Sequence, residues 1–383
     1  MVNETQSSTA DQARAWSALM KGVDEAARQA SIDKWNAVAK PLGSLGVLED
    51  DIVRIAELTG SPDVTIDKRA VVVFCADNGV VAQGVSQCGP EVTRSVAVSL
   101  GKGISSVCAM AHTQNIDAVP VDIGMVDPGL LPTAENEMVQ AAGMPLMPDY
   151  EEIEGVLNRQ VGRGTGDISC GPAMTRDQAI KAIQVGIDLV GELKAQGYQI
   201  IASGEMGIGN TTTSSAMTAA LFGLPVTEVT GRGAGLDDEG LKRKVAAIER
   251  ALDVNKPDAS DPIDVLSKVG GFDIAGITGL FIGGAIHRVP IIIDGFISAL
   301  SAYTAYRLCP DCRCAMLASH MSAEPAAIAI MDALELKVPI QAGMRLGEGT
   351  GAVCLVPLLD MALSLYNGTT FDDSGIEAYE QLS

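Results

Sequence analysis

The sequence predicts an α/β fold in which helices flank a mainly parallel sheet. Apolar runs of strand length alternate with helical patterns through the middle of the chain, and several runs lead directly into an acidic or polar residue. The chain has 383 residues, 47% of them hydrophobic, and can bury one large core. Because the carboxyl ends of parallel strands form the ligand crevice, the same patterns predict where a site lies.

The first sixty residues predict helices and no strand. Three segments have apolar residues at helical intervals: 9–20, 24–40 and 47–58. The apolar run 352–366 near the C-terminus is predicted to be helical as well. We expect this run to return and pack on the N-terminal helices, which form an appendage to the sheet.

Six apolar runs are predicted as strands: 70–75, 117–121, 199–202, 289–293, 315–318 and 340–344. Several of them lead into polar residues at the predicted crevice: Asp77, Asp122, Glu205, Asp294 and the pair Ser319-His320. A helix is predicted over 177–196, because Thr175 and Gln178 have the spacing of a capping box and isoleucines follow at helical intervals.

Composition excludes several classes of function. The formal net charge of −21, without any basic stripe, argues against nucleic-acid binding. The N-terminus lacks the pattern of a signal peptide, and the apolar run 275–286 is cut by His287-Arg288 before it reaches membrane-spanning length. Eight thinly spread cysteines fit a reducing compartment. We therefore expect a cytoplasmic protein with no membrane partner.

One cysteine cluster is a candidate metal site. Cys309, Cys312 and Cys314 could bind a metal if His320 or a partner chain supplied a fourth ligand. The alternative is a solvent-facing loop with reduced thiols. Hydrolase and metalloprotease interpretations are weak, because the chain has neither a Gly-x-Ser-x-Gly nor a His-x-x-x-His pattern.

Two glycine-rich turns carry the most informative residues. Residues 344–351 place Glu348 among glycines just before an apolar run, and residues 203–213 repeat the design with Glu205 after a predicted strand. Glycine lets the backbone approach a ligand closely, so two glutamates on two such turns predict one site.

The second turn also suggests a phosphate or sugar site. No P-loop lysine is present, but Asn210 and Thr211 open a helix whose N–H groups and hydroxyls could bind a single phosphate. The alternative is a simple N-cap with tight packing. The turn at 230–235, followed by the basic run 242–244, could help to neutralise a dianion, although such a run is also typical of a solvated helix face.

Eight segments, in collinear order, resemble the nicotinate-nucleotide–dimethylbenzimidazole phosphoribosyltransferases of cobamide synthesis. They are 40–46, 76–80, 171–174, 204–212, 264–273, 294–296, 319–324 and 345–351. The resemblance implies a Rossmann-like sheet, usually in a homodimer, with a small helical domain built from both chain ends. We place the segments of that domain at 1–65 and 351–383, and the large catalytic domain at 66–350.

The resemblance also implies the reaction. Phosphoribose moves from nicotinate mononucleotide to an aromatic base of the benzimidazole type, which gives an α-ribotide such as α-ribazole 5′-phosphate plus nicotinate. Glu348 is then the general base, and Glu205 orients the acceptor or stabilises positive charge on the ribose. Nicotinate leaves neutral at its ring nitrogen, so we expect no metal and no cofactor.

The remaining site residues follow from the same resemblance. Apolar walls for a flat ring are expected from Met206, Ile208 and Leu346. Phosphate and ribose binding is expected from Gly204, Asn210, Thr211, Gly233, Lys244, Asp294 and Ser319. Cys88 and Val96 correspond, on a gapless count, to the serine and glutamine that line the base pocket in well-known members.

This sequence departs from the family at the expected base pocket. Cys88 and Val96 replace polar residues, and Asn78 stands where those members have histidine. Polar contacts set much of the discrimination among flat ligands, so the acceptor could be another benzimidazole, a purine or a phenol. A heteromer or a non-catalytic partner subunit is a further alternative, and a nucleoside phosphorylase or hydrolase is a third.

Overall fold

A computed structural model describes residues 8–126 and 152–375, together with Glu377 and Tyr379. Six strands form one sheet: β1 (Arg69–Ala76), β2 (Ile116–Gly124), β3 (Leu157–Asn158), β4 (Ile200–Met206), β5 (Ile291–Ile293) and β6 (Met316–Ala318). The strand order is β3-β2-β1-β4-β5-β6, and every neighbouring pair is parallel. The α/β class with a Rossmann-like parallel sheet is confirmed.

Helices connect and cover these strands. They are α1 (Thr9–Ser17), α2 (Glu25–Ala37), α3 (Val47–Thr59), α4 (Glu91–Gly101), α5 (Ser106–His112), α6 (Arg176–Ala195), α7 (Asn210–Phe222), α8 (Val226–Val229), α9 (Asp238–Asn255), α10 (Pro262–Val269), α11 (Phe272–His287), α12 (Phe296–Leu308), α13 (Ala327–Ala333), α14 (Thr350–Tyr366) and α15 (Phe371–Ser374). Short 3₁₀ helices span Gly79–Gln83 and Pro310–Ala315. None of the helices in the described ranges is long and apolar enough to cross a bilayer.

The central strand β1 divides the apolar core into two layers. Its side chains alternate between the faces of the sheet: Val72 and Phe74 join a cluster with α6 and α11, whereas Val71 and Val73 join one with α3 and α14. A strand buried on both faces reads as a continuous apolar run, which is why this strand was predictable. The two layers hold the carboxyl ends of β1 and β4 rigidly.

Helix α14 packs against α2 and α3 on one side of the sheet, whereas α1 joins the opposite apolar layer through Trp16. The Tyr366 hydroxyl at the end of α14 lies 3.0 Å from Ser31 Oγ and 2.8 Å from Pro62 O. The Tyr366 ring also packs against Trp35, with ring centroids 4.9 Å apart. The division of the chain into a large and a small domain stays a prediction.

The prediction of a strand at 340–344 is wrong. Ile340 forms only a single bridge with His320, and residues 341–343 are exposed. A strand is stabilised by burying at least one face, and this segment buries none. Gly343, with a φ of +64°, instead turns the backbone toward the next element.

The cysteine cluster differs from both of its interpretations. Cys309 and Cys312 are buried, so these two thiols do not face solvent, although Pro310 and Asp311 between them are exposed. The cluster precedes β6 whereas His320 follows it, and the strand therefore separates them. Within residues 8–126 and 152–375, no group of three or more His, Cys, Asp or Glu side chains is arranged to hold a metal ion.

Asp51 on α3 makes stability depend on pH. It is 5% exposed, and burial raises its pKa from 3.8 to about 7, with Arg54 opposing the shift. As the pH rises between these two values, the unfolded chain releases a proton that the folded chain keeps, so the free energy of unfolding falls. The Asp51→Asn variant lacks this penalty. Its melting temperature should exceed that of the wild type by more at about pH 8.5 than at about pH 5.5. Between these two pH values, the stabilisation by the substitution should change by about 2 kcal/mol.

Thermal unfolding of both proteins at the two pH values checks this expectation. An equal difference in melting temperature at both values would show that Asp51 does not titrate with the raised pKa.

Candidate active site

A cavity opens beyond the carboxyl ends of β4, β5 and β6, next to the point between β1 and β4 where the direction of the strand order changes. This position is where doubly wound α/β proteins bind ligands. The cavity encloses about 230 Å³. Its lining includes nine residues predicted for the site: Glu205, Met206, Ile208, Asn210, Thr211, Gly233, Asp294, Leu346 and Glu348.

The two glycine turns contact each other at the cavity. A Cβ atom on Gly204 would lie 2.6 Å from the carbonyl oxygen of Glu348, and one on Gly347 would lie 2.8 Å from Glu205 Oε1. Glu348 itself has a φ of +59° and stands between Gly347 and Gly349, whose φ values are +88° and +91°. This run of left-handed residues turns the Glu348 side chain toward the cavity just before α14 begins.

The Glu348 carboxylate is half-buried and oriented by backbone. Its Oε2 atom accepts a hydrogen bond of 3.2 Å from the N–H of Val107 in the first turn of α5. A carboxylate held at one oxygen can present the other to a ligand.

Glu205 stands in a strongly acidic environment. Burial raises the pKa of its carboxyl well above the usual range, and Asp273, Asp294 and Glu348 raise it further. The amide nitrogen of Asn210 donates to Glu205 Oε2 and also to Asp273 Oδ2, the latter at 2.9 Å. Among the described residues, Glu205 therefore has acidic neighbours and one amide donor.

A buried cradle suited to an anion lies beside the cavity, next to the lining residues Thr211 and Gly233, although its lysine, Lys244, does not itself line the cavity. Lys244 on α9 is fully buried, and its Nζ donates to Thr211 Oγ1 at 2.8 Å and to Gly231 O at 3.1 Å. No side chain of the described residues caps the start of α7, where Asn210 and Thr211 lie. Backbone N–H groups and a buried ammonium together favour a phosphate. The interpretation of residues 242–244 as a solvated face is wrong for Lys244.

Lys244 is not an ordinary lysine. Burial lowers its pKa from 10.5 to about 8, and Glu324 opposes that shift. Gly233, with a φ of +50°, leaves room for the hydroxyl that Lys244 contacts, because a Cβ there would lie 2.9 Å from Thr211 Oγ1. The cradle therefore loses its charge within a mildly alkaline range.

Three residues predicted for phosphate and ribose have different surroundings. Asp294 lines the cavity, and its Oδ1 accepts the N–H of Ala352 at 3.0 Å. Gly204 lies behind the cavity, against the backbone of Glu348. Ser319 is buried outside the lining, and its hydroxyl donates to Ile293 O at 2.6 Å. The neighbouring His320, Ser322 and Glu324 line the cavity in its place.

Cys88 and Val96 do not line this cavity. Cys88 is half-buried before α4, and Val96 packs against the cluster below the sheet. Helix α4 contacts the glycine turn after β4 through Thr93, whose hydroxyl accepts a hydrogen bond of 3.2 Å from the N–H of Ile208. Asn78 is buried behind the same turn and donates to Ile208 O at 3.4 Å. A gapless count could not show which side of α4 faces the site.

Sequence reasoning missed several residues of this region, among them Asp273, Ser322, Glu324, Arg345 and Val107. Asp273 was visible as an acid in the first turn of an otherwise apolar helix, and Glu324 as an acid after a strand end. Val107 contributes through its backbone N–H, which almost every residue type has, so the sequence could not identify it.

Comparisons with known proteins agree with this geometry. A family model described as "Phosphoribosyltransferase" matches residues 20–376. A nicotinate-nucleotide–dimethylbenzimidazole phosphoribosyltransferase of Acetivibrio thermocellus is 46% identical over 346 residues, which are 90% of this chain and 92% of that protein. One from Clostridium acetobutylicum is 42% identical over 364 residues, 95% and 97% of the two chains. The crystal structure of CobT from Thermus thermophilus matches with a TM-score of 0.82 and 33% identity, covering 92% of this chain and 99% of that one.

The buried ammonium gives anion binding a specific pH dependence. Lys244 is charged below a pKa of about 8, so affinity for inorganic phosphate should fall roughly tenfold between about pH 7 and about pH 9. The Lys244→Met variant should bind phosphate weakly at both values. Lys242→Gln, on the exposed face of the same helix, is the matched control and should behave like the wild type. Titration calorimetry measures these affinities, and equal phosphate binding by Lys244→Met and wild type would contradict the cradle.

Proposed function

The chain belongs to the nicotinate-nucleotide–dimethylbenzimidazole phosphoribosyltransferase family, and we propose that it transfers phosphoribose from nicotinate mononucleotide to an aromatic lower-ligand base. The observation that carries the proposal is the meeting of Glu205 and Glu348 across two contacting glycine turns. An anion cradle at Lys244 lies beside that cavity and is bonded to the lining residue Thr211. One cavity thus offers a place for the phosphate and a carboxylate for the acceptor.

The proposed reaction is a displacement at C1′ of the ribose. A ring nitrogen of the acceptor attacks C1′ on the face opposite nicotinate, and the new bond therefore has the α configuration. The electron pair of the broken C–N bond returns to the nicotinate ring nitrogen, which becomes neutral. The proton on the other acceptor nitrogen is transferred to a carboxylate of the enzyme. Nicotinate and the α-ribotide are the products.

Glu348 is our candidate for the general base. The N–H of Val107 fixes one carboxylate oxygen, which leaves the other to accept the acceptor's proton. The left-handed backbone at Glu348 aims the side chain at the cavity, and such an uncommon conformation is typical of functional positions. A base held in place in this way avoids the entropy cost of finding its substrate.

Glu205 is suited to a different role from that of Glu348. Burial, followed by the charge of Asp273, raises its pKa well above the usual range, which favours the protonated carboxyl. A protonated carboxyl is a hydrogen-bond donor, so we assign Glu205 to orienting a substrate rather than to accepting a proton. The alternative role in sequence reasoning, stabilising positive charge on the ribose, needs an ionised carboxylate and is less favoured by this environment.

Phosphate and ribose bind, in this proposal, between the start of α7 and the loop after β6. Lys244 and Thr211 meet the phosphate, together with the first N–H groups of α7. Asp294 lies nearer the two glutamates, where it can accept from ribose hydroxyls. Ser322 takes the place that sequence reasoning gave to Ser319, because its side chain lines the cavity.

The acceptor is proposed to be of the benzimidazole type. Met206, Ile208 and Leu346 provide apolar surface for a flat ring on the side of the two glutamates. Cys88 and Val96 lie away from this lining, so their departure from the family pattern does not remove polar contacts from it. A purine or phenol remains a distinct outcome of the test below. A homodimer in the cytoplasm is part of the proposal by family membership, and a heteromer is its alternative.

Mass spectrometry of the purified protein tests the proposal. Nicotinate mononucleotide is supplied with dimethylbenzimidazole, benzimidazole, adenine or phenol, and free nicotinate and each ribotide are followed. We expect a base-dependent α-ribotide from a benzimidazole. The Glu348→Gln variant, which keeps the shape of the side chain, should lose about 10²–10⁴-fold in rate while still binding the nucleotide. Glu228→Gln, at an exposed position, is the control.

Each alternative has its own result in that assay. No ribotide from any acceptor would overturn the proposal in favour of a partner subunit without activity. Ribose phosphate released in the absence of an acceptor would favour a hydrolase or phosphorylase. Near-normal turnover by Glu348→Gln would remove the assigned general base.

A further inference from the structure

Asp273 is a buried acid to which the proposed reaction assigns no role. It lies in the first turn of α11, is fully buried, and is the only acidic residue of that helix. Burial raises its pKa from 3.8 to about 6, although Asn210 and the backbone N–H of Ile274 lower it. Burying a carboxylate in an apolar helix is costly, so its presence needs a reason.

A single amide joins Asp273 to Glu205. The Nδ2 atom of Asn210 carries two hydrogens and donates to one oxygen of each carboxyl, Glu205 Oε2 and Asp273 Oδ2. Asn210 is itself buried, 5% exposed, at the start of α7. Two glycines make room for this arrangement, because a Cβ on Gly207 would lie 3.0 Å from Asp273 Oδ2 and one on Gly271 would lie 2.4 Å from Oδ1.

The charged groups that act on the pKa of Glu205 are all acidic, although Arg345 and His320 also line the cavity. Asp294 after β5 and Glu348 before α14 face Glu205. Asp77, at the end of β1, has Asp122 and Asp273 as acidic neighbours, and Arg94 acts on Asp122. Two carboxyls bridged by one donor in such a field cannot both ionise easily, so the pair retains one proton.

We propose that Asp273 is a positioning residue for Glu205: its negative charge keeps the shared proton on Glu205, and the common Asn210 amide fixes the direction in which Glu205 donates. Asp273 lies in the first turn of α11, where the helix dipole and the N–H of Ile274 favour its negative charge, whereas Glu205 lines the cavity. The inference that Glu205 donates to a substrate rests on the proposed function. The inference that Glu205 holds the shared proton is independent of that function.

The competing explanation is that Asp273 only stabilises the start of α11. An isosteric asparagine separates the two, because it keeps the shape of the side chain and an oxygen that can accept from Asn210. It removes only the charge. Asp77→Asn is the matched control, since Asp77 is a buried acid at the same end of the sheet, with a pKa raised to about 6, but has no bond to Asn210.

Infrared difference spectroscopy measures the proton directly. The C=O band of protonated Glu205 is identified by its loss in Glu205→Gln and is then titrated with pH in each variant. Asp273→Asn should shift this titration downward by roughly one to three pH units, because a like charge has been removed. Asn210→Leu should shift it upward, because the donor that favours ionised Glu205 is lost. Asp77→Asn should leave it in place.

The pH profile of transfer then tests the consequence. In Asp273→Asn, the alkaline limb of the kcat–pH profile should shift to lower pH than in the wild type. The acid limb of the profile should not shift. An unshifted Glu205 band in a folded Asp273→Asn protein would overturn the inference, and so would a downward shift in Asn210→Leu. Because the band is read without substrate, an inactive wild type would sink the proposed function and leave this result interpretable.

Discussion

The close contact between the backbone of Gly204 and the backbone of Glu348 is the constraint on which the site depends. Gly204 lies in β4, at the centre of the sheet, and Glu348 lies much later in the chain, in the turn before α14. Without side chains at Gly204 and Gly349, the turn settles directly on the strand, because Cβ atoms there would clash with neighbouring backbone or with Val71. Glu205 and Glu348 therefore face one cavity although they come from separate elements.

The electrostatic design of the cavity follows from this packing. Carboxyl groups concentrate around Asn210, which Glu205 and Asp273 share, whereas a buried ammonium at Lys244 contacts the next residue, Thr211. Burying either kind of charge is costly, and this cost raises the pKa of the acids and lowers that of the lysine. In the proposed reaction, the phosphate of the donor complements the ammonium, and the acceptor nitrogen to be deprotonated complements a carboxylate. Burying these groups lowers the stability of the fold, but it places ionisable side chains at the site before a substrate binds.

Sequence patterns predicted the elements whose cause is local. The apolar runs of β1 and β4, the capping box before α6 and the two glycine turns each carry their own signal, and nine of the predicted site residues line the cavity. Features that depend on side-chain direction were not predictable. A basic run on a helix does not show that Lys244 points inward, nor does the sequence show that His320 lines the cavity while the adjacent Ser319 does not. The failed strand at 340–344 had the right composition but no buried face to occupy.

The most direct test of this account is the rate of phosphoribose transfer by Gly204→Ala. The added methyl group would lie 2.6 Å from Glu348 O, so the turn must move and carry the general base with it. Gly171→Ala is the matched control, since a Cβ at Gly171 meets nothing within 4 Å. We predict that Gly204→Ala folds and still binds nicotinate mononucleotide but loses about 10²-fold or more in transfer, a loss typical of a misplacement near 1 Å. Wild-type transfer by Gly204→Ala would contradict the claim that this backbone contact builds the site.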